Sequence, residues 1–428
     1  MTERTTYRAR WILPGDAPPL RDGYLTVRGA QVERVSASPP GGPVLDLGDV
    51  ALLPALVNAH THLEFSELTE PIGTPGLAFP DWIRQVIRWR IDRQTAAGSD
   101  VAEASRVGEA IARGLRESVA AGIGTLGEIA TSSASYETWQ SRHDNPTGVI
   151  FRELIGLQSA RAVAQLETAN RHLAEPDGSQ LRPGLSPHAP YTVRLELLQA
   201  ALQMARRRNC PVAMHLAESE AELPLLAAGQ GPFVELLREL GVWDNTAIPT
   251  GVRPLQYLTA LAAAPRALVI HGNYLAEDEI AFLATHRSAM TLVHCPRTHA
   301  YFGHPPFAAA RHLASGVRLA LGTDSRASNP DLSLWRDLRF AIDRHPNVDP
   351  LDWLSSATLH GAHALGLAHA TGSLQPGKEA SFCAVSPVLT HDPRACLLEP
   401  ASSVRTLFLR GRSKSAAQPP PGGGSACQ

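Results

Sequence analysis

The sequence ALLPALVNAHTH at residues 51–62 is an apolar run that ends in two histidines, and seven further short apolar runs follow it along the chain. Segments with helical periodicity, such as residues 101–120, 193–208 and 277–286, lie between these runs. Eight short strands that alternate with helices favour an α/β fold whose parallel sheet closes into a (β/α)8 barrel of the TIM type. The predicted strands are residues 51–57, 124–129, 148–154, 184–186, 212–215, 267–271, 290–294 and 317–321.

Short β segments flank this alternating region on both sides. Residues 7–13, 23–27 and 31–35 precede it, and residues 381–385 and 404–409 follow it. Because a barrel would bring both chain ends to one side, we predict that these segments form one small β-sandwich. A doubly wound α/β fold is the alternative, but no GxGxxG motif follows an early strand. The predicted division assigns residues 1–50 and 367–412 to the sandwich, 51–366 to the barrel, and 413–428 to a disordered tail.

The composition of the chain restricts its partners and its environment. The 428 residues carry a formal net charge of -2, which provides no overall field to attract nucleic acid or an anionic membrane. No apolar run approaches the roughly 18 residues of a membrane span, and the N-terminus lacks the apolar core of a signal peptide. The five cysteines are odd in number and lack CxxC spacing, as is typical of a reducing compartment. We therefore predict a cytoplasmic protein.

Lysine is almost absent from the chain. Only Lys378 and Lys414 are lysines among the 39 basic residues, and both lie beyond the predicted barrel. A catalytic Schiff base, or a carbamylated lysine that bridges two metal ions, therefore has no residue in the barrel. Any metal centre there is predicted to hold a single ion.

Side chains that can bind a metal ion occur at the ends of several predicted strands. His60 and His62 are two residues apart on one strand, so they project to the same face. His215 and His271 end the fifth and sixth runs, and Asp324 follows the eighth. Each alone is more commonly a core histidine or a helix-capping aspartate. Because the carboxyl ends of barrel strands open on one face, however, the set together predicts a metal centre.

Three imidazoles and one carboxylate suit one divalent ion, for which we predict zinc, with iron or manganese as alternatives. Such an ion leaves a coordination position for water and lowers the pKa of that water toward about 7, which would give a hydroxide nucleophile. Glu218, three residues after His215, is the acid best placed to move a proton beside it. The alternative for Glu218 is a first-turn acid of the following helix, where the helix dipole favours it.

Further polar and aromatic residues are predicted at the rim of the barrel. His188 follows the fourth run, and His294 and Arg297 follow the seventh, so we predict that these three contact the substrate. Loop capping and packing are the alternative roles. Trp82 lies in the insertion at residues 73–90 and is predicted to cover a flat ring, with packing of the loop onto the barrel as the alternative.

Five segments in order resemble the amidohydrolase superfamily, across about residues 7–412. They are PALVNAHTH at 54–62, HLAE at 215–218, HG at 271–272, GTDS at 322–325 and GSLQPGKEA at 372–380. The resemblance is to the branch that holds methylthioadenosine/S-adenosylhomocysteine deaminases, aminodeoxyfutalosine deaminases, guanine deaminase and triazine chlorohydrolases. The segment at residues 294–307 departs from the Asn-containing sequence common in the characterised deaminases, and it is expected to help shape the pocket.

The resemblance implies a (β/α)8 barrel with a β-sandwich made from both chain ends. It implies metal ligands at His60, His62, His215 and Asp324, and a proton shuttle at Glu218. His271 resembles the residue that orients the attacking water or the substrate, and whether it also binds the metal varies across the superfamily.

The resulting prediction is a metal-dependent hydrolase of non-peptide carbon–nitrogen bonds. Its predicted reaction is the hydrolytic deamination of a purine or purine-nucleoside-like substrate, with Glu218, His271 and Asp324 as the catalytic residues. A chlorohydrolase or amide hydrolase acting on a related heterocycle is the alternative, and a catalytically silent ligand-binding barrel is a more distant one. The predicted partner is a small nitrogen heterocycle, without nucleic acid or membrane, and the oligomeric state is left open.

Overall fold

A computed structural model of the chain describes residues 3–141, 144–175, 178, 180–386 and 392–415. Within these residues the strands form two sheets of eight strands each. One sheet is parallel and follows chain order, and the other is mixed and combines strands from both chain ends. The predicted barrel and terminal β-sandwich are therefore confirmed.

The mixed sheet begins with the N-terminal strands. The central strand β1 pairs antiparallel with β2 and parallel with β5. Aromatic rings fill the layer beneath it, with Tyr7 packed edge-on against Phe382 and Phe408, which stack on each other at 4.3 Å. The strands are β1 (Arg4–Ile12), β2 (Leu20–Arg28), β3 (Gln31–Ser36), β4 (Leu45–Asp46) and β5 (Ala51–Pro54).

The parallel sheet is buried along most of its length, as the continuous apolar runs predict. Its strands are β6 (Leu56–Thr61), β7 (Ile123–Ala130), β8 (Thr147–Leu154), β9 (Leu181–Pro187), β10 (Val212–Leu216), β11 (Ala267–His271), β12 (Met290–His294) and β13 (Leu319–Leu321). An isolated parallel bridge between Thr61 and Asp324 links the first of these strands to the segment just after the last, so the barrel is nearly closed.

The run predicted as one strand at residues 51–57 is two strands, β5 in the mixed sheet and β6 in the barrel, which corrects the strand prediction. The backbone N–H of Ala55 donates to Ser381 in the mixed sheet, whereas that of Leu56 donates to Gly122 beside the barrel. The chain therefore passes from one sheet to the other at Ala55. Both halves of the run are buried, so the apolar pattern does not reveal the change of sheet.

The C-terminal strands complete the mixed sheet. They are β14 (Phe382–Ser386), which pairs antiparallel with β5, then β15 (Ser403–Leu409) and β16 (Arg412–Ser415). The last strand includes residues 413–415, which were predicted to lie in the disordered tail. The remainder of that predicted tail, residues 416–428, lies outside the described residues.

The helices lie between and after the barrel strands. Ser99 caps the longest of them, because its Oγ accepts from Ala102 N–H. Gly114 of this helix, α2, packs so closely on the loop after β6 that an added Cβ would lie 2.3 Å from Ser66 Oγ. No helix among the described residues is both long and apolar enough to cross a bilayer. The helices are α1 (Phe79–Ala97), α2 (Asp100–Ala120), α3 (Ala134–Gln140), α4 (Ser159–Leu173), α5 (Leu195–Arg208), α6 (Glu222–Ala228), α7 (Pro232–Glu239), α8 (Pro254–Leu261), α9 (Glu277–Thr285), α10 (Pro296–Tyr301), α11 (Ala309–Ala314), α12 (Leu334–Arg344), α13 (Pro350–Ser356), α14 (Leu359–Ala364) and α15 (Ala395–Leu398), with a 3-10 turn at Leu63–Phe65.

Candidate active site

Three histidines from two strands converge at the carboxyl end of the barrel. One ligand atom from each of His60, His62 and His215 lies within 4.8 Å of the others, and all three side chains are buried. Asp324 Oδ1 lies 3.5 Å from His60 Nε2 and 3.6 Å from His62 Nε2. The ring of His271 is centred 5.5 Å from that of His215, at the edge of this group. The structure thus brings together the four predicted ligands and His271.

The hydrogen bonding and charge of these rings fit a metal cation. In the described part of the chain, both ring nitrogens of His60 and the Nδ1 of His62 are buried without a hydrogen-bond partner. His215 Nδ1 instead lies 3.0 Å from the carbonyl oxygen of His188, which directs Nε2 toward the group. Burial lowers the pKa of His60 and His62 well below the usual value. The imidazoles are therefore neutral, which is the form that binds a metal ion.

The backbone at the ends of three barrel strands is strained. Ala217, His271 and Asp324 follow or end β10, β11 and β13, with φ angles of 51°, 67° and 54°. A non-glycine residue in this region costs on the order of 1–3 kcal/mol and persists only where its surroundings hold it. All three positions lie at the predicted site, so the strained backbone conformations occur where side chains must point toward the histidines.

A polar seam between β6 and β13 holds Asp324 in this conformation. Asn58 Oδ1 accepts from the N–H of Thr323 at 3.1 Å, and its Nδ2 donates to Thr323 Oγ1 at 2.7 Å. Thr61 Oγ1 donates to the carbonyl oxygen of Asp324 at 2.8 Å, and Ser328 Oγ donates to Asp324 Oδ2 at 2.8 Å. These bonds leave Asp324 Oδ1 directed toward His60 and His62.

Glu218 lies in the loop after β10, beside His271. Its Oε1 is 3.3 Å from His271 Nε2, and its carbonyl oxygen accepts from Asn273 Nδ2 at 2.9 Å. Burial, followed by the charge of Asp324, raises the pKa of the Glu218 carboxyl well above its usual value. Burial therefore favours the protonated form of this carboxyl. Since α6 begins at Glu222, Glu218 is not a first-turn acid, which removes that alternative.

A cavity of about 490 Å3 adjoins these residues. Its polar wall contains His62, His215, Glu218, His271 and Asp324, together with His188 and Glu153. Its apolar wall comes mainly from α1 and from the region of α7, and includes Phe79, Trp82, Ile83, Val86, Ile87, Leu236, Leu237 and Leu240. The candidate active site is therefore a cleft with a proton-transfer face opposite an apolar one.

A family model described as the amidohydrolase family matches residues 51–414. The chain belongs to the amidohydrolase family. An aminodeoxyfutalosine deaminase from Deinococcus radiodurans is 30% identical to it over 334 residues, which cover 74% of this chain and 73% of that protein. A 5-methylthioadenosine/S-adenosylhomocysteine deaminase from Moorella thermoacetica is 28% identical over 432 residues, covering 94% and 91%. The crystal structure of a zinc-bound adenosine deaminase from Xanthomonas campestris is similar in fold, with a TM-score of 0.76, 23% identity and coverage of 96% and 92%.

These matches confirm the predicted family and make this chain an enzyme of the amidohydrolase type. The structure also contains a second cavity, of about 680 Å3, which is lined by Arg182, Arg208 and Arg266. That second cavity lies where β9, β10 and β11 begin, at the end of the barrel opposite His60, His62 and His215. Active sites of such barrels are built at the carboxyl ends of the strands, so the smaller cavity is the relevant one.

Two residues that were predicted to contact substrate do not line the active-site cavity of this amidohydrolase. Arg297 forms ion pairs with Asp331 at 2.7 Å and with Asp337 at 2.8 Å, so its charge is used to hold the segment after β13. His294 is buried and stacks on Phe307 with ring centroids 3.8 Å apart. No residue of the 294–307 segment lines the cavity, but Phe302 of that segment packs at 5.1 Å against Phe79 and Trp82, which do.

The other two predicted substrate contacts, His188 and Trp82, do line the cavity. Trp82 stacks on Phe79 at 5.5 Å, which presents a flat apolar surface. Trp82 Nε1 also donates to the carbonyl oxygen of Ala327 at 3.3 Å, which fixes the orientation of the indole.

Two buried acids were missed by the sequence analysis. Glu222 accepts from the N–H of Ala217 at 2.7 Å and so supports the strained turn before Glu218; burial raises the pKa of Glu222 to about 8. Glu153 is the penultimate residue of β8 and lines the cavity. The only sequence signal for Glu153 was its position at the end of an apolar run, the same signal that identified His215.

Proposed function

We propose that this amidohydrolase removes an amino group hydrolytically from a purine or a purine nucleoside. The observation that carries the proposal is the position of the Glu218 carboxyl, whose pKa is raised by burial, within 3.3 Å of His271 and beside the converging imidazoles of His60, His62 and His215. The names of the Deinococcus and Moorella relatives, both deaminases, support the same reaction.

The residues that would hold the cofactor are His60, His62, His215 and Asp324. Their donor set of three imidazole nitrogens and one carboxylate oxygen suits zinc, and the zinc in the Xanthomonas structure supports that choice. A bound zinc ion would supply Lewis-acid activation of water at neutral pH.

The chain's own residues account for the proton transfers. Glu218 holds a proton at its carboxyl and would donate it to the ring nitrogen next to the carbon that is attacked. Asp324 Oδ1, free of the Ser328 bond, would accept a proton from the attacking water, and His271 would orient that water. The ring nitrogen keeps the proton from Glu218, one proton of the water joins the amino group, which leaves as ammonia, and the other restores the Glu218 carboxyl as the carbonyl of the product forms.

The apolar wall of the cavity would bind the heterocycle. Trp82 and Phe79 offer stacked aromatic faces to a flat ring, and Tyr191 is buried beside them, stacked on Phe233 at 4.0 Å. Closure of this wall over the ring would exclude bulk water, which strengthens the electrostatic interactions of Glu218 and Asp324.

A cytoplasmic location is part of the proposal. The four cysteines within the described residues are buried thiols, not disulfides, which supports a reducing compartment.

A panel of substrates tests the proposed reaction. Zinc-loaded full-length enzyme is incubated with adenosine, adenine, guanine, a chlorotriazine and a simple amide, and release of ammonia and chloride is measured. We expect ammonia from at least one aminopurine. We also expect Glu218→Gln to lower its kcat by about 100- to 10,000-fold while zinc stays bound.

Chloride release without ammonia would replace deamination by the chlorohydrolase alternative. Bound zinc with no product from any compound would favour a ligand-binding barrel. Unchanged turnover in Glu218→Gln would remove Glu218 from the mechanism.

A further inference from the structure

Glu153 is a buried carboxyl on the cavity wall that lacks a protein donor. It is the penultimate residue of β8, and its side chain is only 7% exposed. Among the described residues no group donates a hydrogen bond to it, and its nearest basic atom, His188 Nε2, is 3.9 Å from Oε1. A buried carboxyl without donors is costly, so such groups normally have a partner. The cavity is the space from which a partner can come.

The groups around Glu153 form a mixed set of donors and acceptors. His188 Nδ1 is engaged with Thr192 Oγ1 at 2.7 Å, which leaves Nε2 on the side of Glu153. Burial raises the pKa of Glu153, and the charge of Arg90, which also lines the cavity, opposes that rise. The Nε of Arg90 is buried and has no hydrogen-bond partner within the described residues.

Charge and hydrogen-bonding capacity indicate what this set recognises. Arg90 already forms an ion pair with Glu64, so its charge is largely neutralised and a second anion would gain little from it. A carboxylate or phosphate offers only acceptors and would face the Glu153 carboxyl. An ammonium group offers only donors and would face Arg90. Hydroxyl groups both donate and accept, so neighbouring hydroxyls match the whole set.

The distances along the cavity wall allow one bound molecule to reach both His215 and Glu153. The ring of His188 lies 4.9 Å from that of His215, and His188 in turn lies next to Glu153. If the purine base lies against the imidazoles of His60, His62 and His215, the sugar attached to it would extend past His188 toward Glu153. The cavity volume of about 490 Å3 leaves room for more than a bare purine ring.

We propose that Glu153 is a specificity-determining residue that accepts hydrogen bonds from the sugar hydroxyls of the substrate, with Arg90 and His188 beside it. The substrate is then a nucleoside, and the free base is a poor substrate. The predicted effect of Glu153 on turnover rests on the proposed function. Its predicted effect on nucleoside affinity can be measured without turnover.

Binding of product-like nucleosides isolates the hydroxyl contact. Inosine and 2′,3′-dideoxyinosine carry no amino group to remove, so calorimetric titration of the zinc-loaded full-length enzyme measures affinity alone. We expect the dideoxy compound to bind about 10- to 100-fold more weakly, the range for loss of a hydrogen bond to a charged group. Glu153→Leu should lose this preference, and Glu153→Gln, which keeps an acceptor oxygen, should retain part of it.

Two controls separate recognition from folding. Glu196→Gln changes a carboxyl that is 67% exposed and outside the cavity lining, and it should keep the full preference for inosine. Glu153→Leu should unfold at the same temperature as the wild type or higher, because it removes a buried carboxyl that no protein group satisfies. A strong fall in its unfolding temperature, or an intact preference in this variant, would overturn the proposal.

The remaining outcomes distinguish the inference from the proposed function. Equal affinity of the wild type for both inosines, or binding of neither, overturns the role of Glu153. Equal kcat/KM on adenine and adenosine also overturns it, while deamination itself stands. A preference for inosine that depends on Glu153, together with no ammonia from any aminopurine, supports the inference and overturns the proposed reaction.

Discussion

Within the described residues, two clusters of histidines lie at the carboxyl end of the barrel, and they differ in how their ring nitrogens are arranged. In the imidazole cluster (His60, His62 and His215), ligand atoms converge within 4.8 Å. In the aromatic cluster after β12 (His294, His299, His304, His312 and His345), the rings pack against Phe307 and one another. His299 there is engaged by Asn273 and by the carbonyl oxygen of Pro305. Buried ring nitrogens without partners also occur in the aromatic cluster, at His294, His304 and His312, so neither histidine density nor missing partners alone indicates a metal site; convergence of the ring nitrogens on one point does.

Removal of one converging imidazole is the most severe test of this comparison. Loss of a residue that hydrogen-bonds to a metal ligand can weaken metal binding by roughly 100-fold. Because His60 is itself a predicted ligand, we expect His60→Ala to weaken zinc binding by more than this and to abolish turnover. Zinc affinity is measured by competition with a chelator. His345→Gln, in the aromatic cluster, is the matched control and should bind zinc as the wild type does. Equal zinc loss in both variants would contradict the distinction between the clusters.

A smaller effect is expected from the seam that aims Asp324. Thr61→Val keeps the shape of the side chain but removes the hydrogen bond to the carbonyl oxygen of Asp324. We expect zinc affinity to fall about 10-fold, with the unfolding temperature little changed. Thr147→Val on β8 is the control, because Thr147 Oγ1 has no hydrogen-bond partner among the described residues. Unchanged zinc affinity in Thr61→Val would show that the seam does not position the ligand.

The aromatic cluster should affect stability at acid pH instead of zinc affinity at neutral pH. Burial, then the charge of Arg311, lowers the pKa of His312 to about 4 from the usual 6.5. The unfolded chain therefore binds more protons between these values, and stability is lost as pH falls from about 6.5 to 4. We expect His312→Leu to lose roughly 1–2 °C less in unfolding temperature over that interval than the wild type.

This measurement is made on zinc-free protein, so that loss of metal at low pH does not contribute. Parallel pH profiles for His312→Leu and the wild type would contradict the assignment of a neutral His312 in the folded state.

Much of the barrel could be predicted from the sequence, because parallel strands buried on both faces leave continuous apolar runs. The residues just after those runs, such as His215 and Asp324, could be identified because barrel topology places all carboxyl ends at one face. The change of sheet at Ala55 could not be predicted, since residues on either side of it are equally buried. His294 and Arg297 also end or follow an apolar run, as His215 does. In the folded chain, however, His294 stacks on Phe307, and Arg297 forms ion pairs with two aspartates.

The sequence by itself determined the family, the order of strands and helices, and the kinds of side chain available for chemistry. It also excluded a lysine-bridged metal pair, because composition does not depend on folding. Only the tertiary structure decided which of those side chains act together. The availability of an imidazole or a carboxyl depends on what lies within a few ångströms of it, and those neighbours come from distant parts of the chain. Thr323 lies 265 residues from Asn58 and bonds to it, while Glu153 is buried beside His188 without a hydrogen-bond donor in the part of the chain that the structure describes.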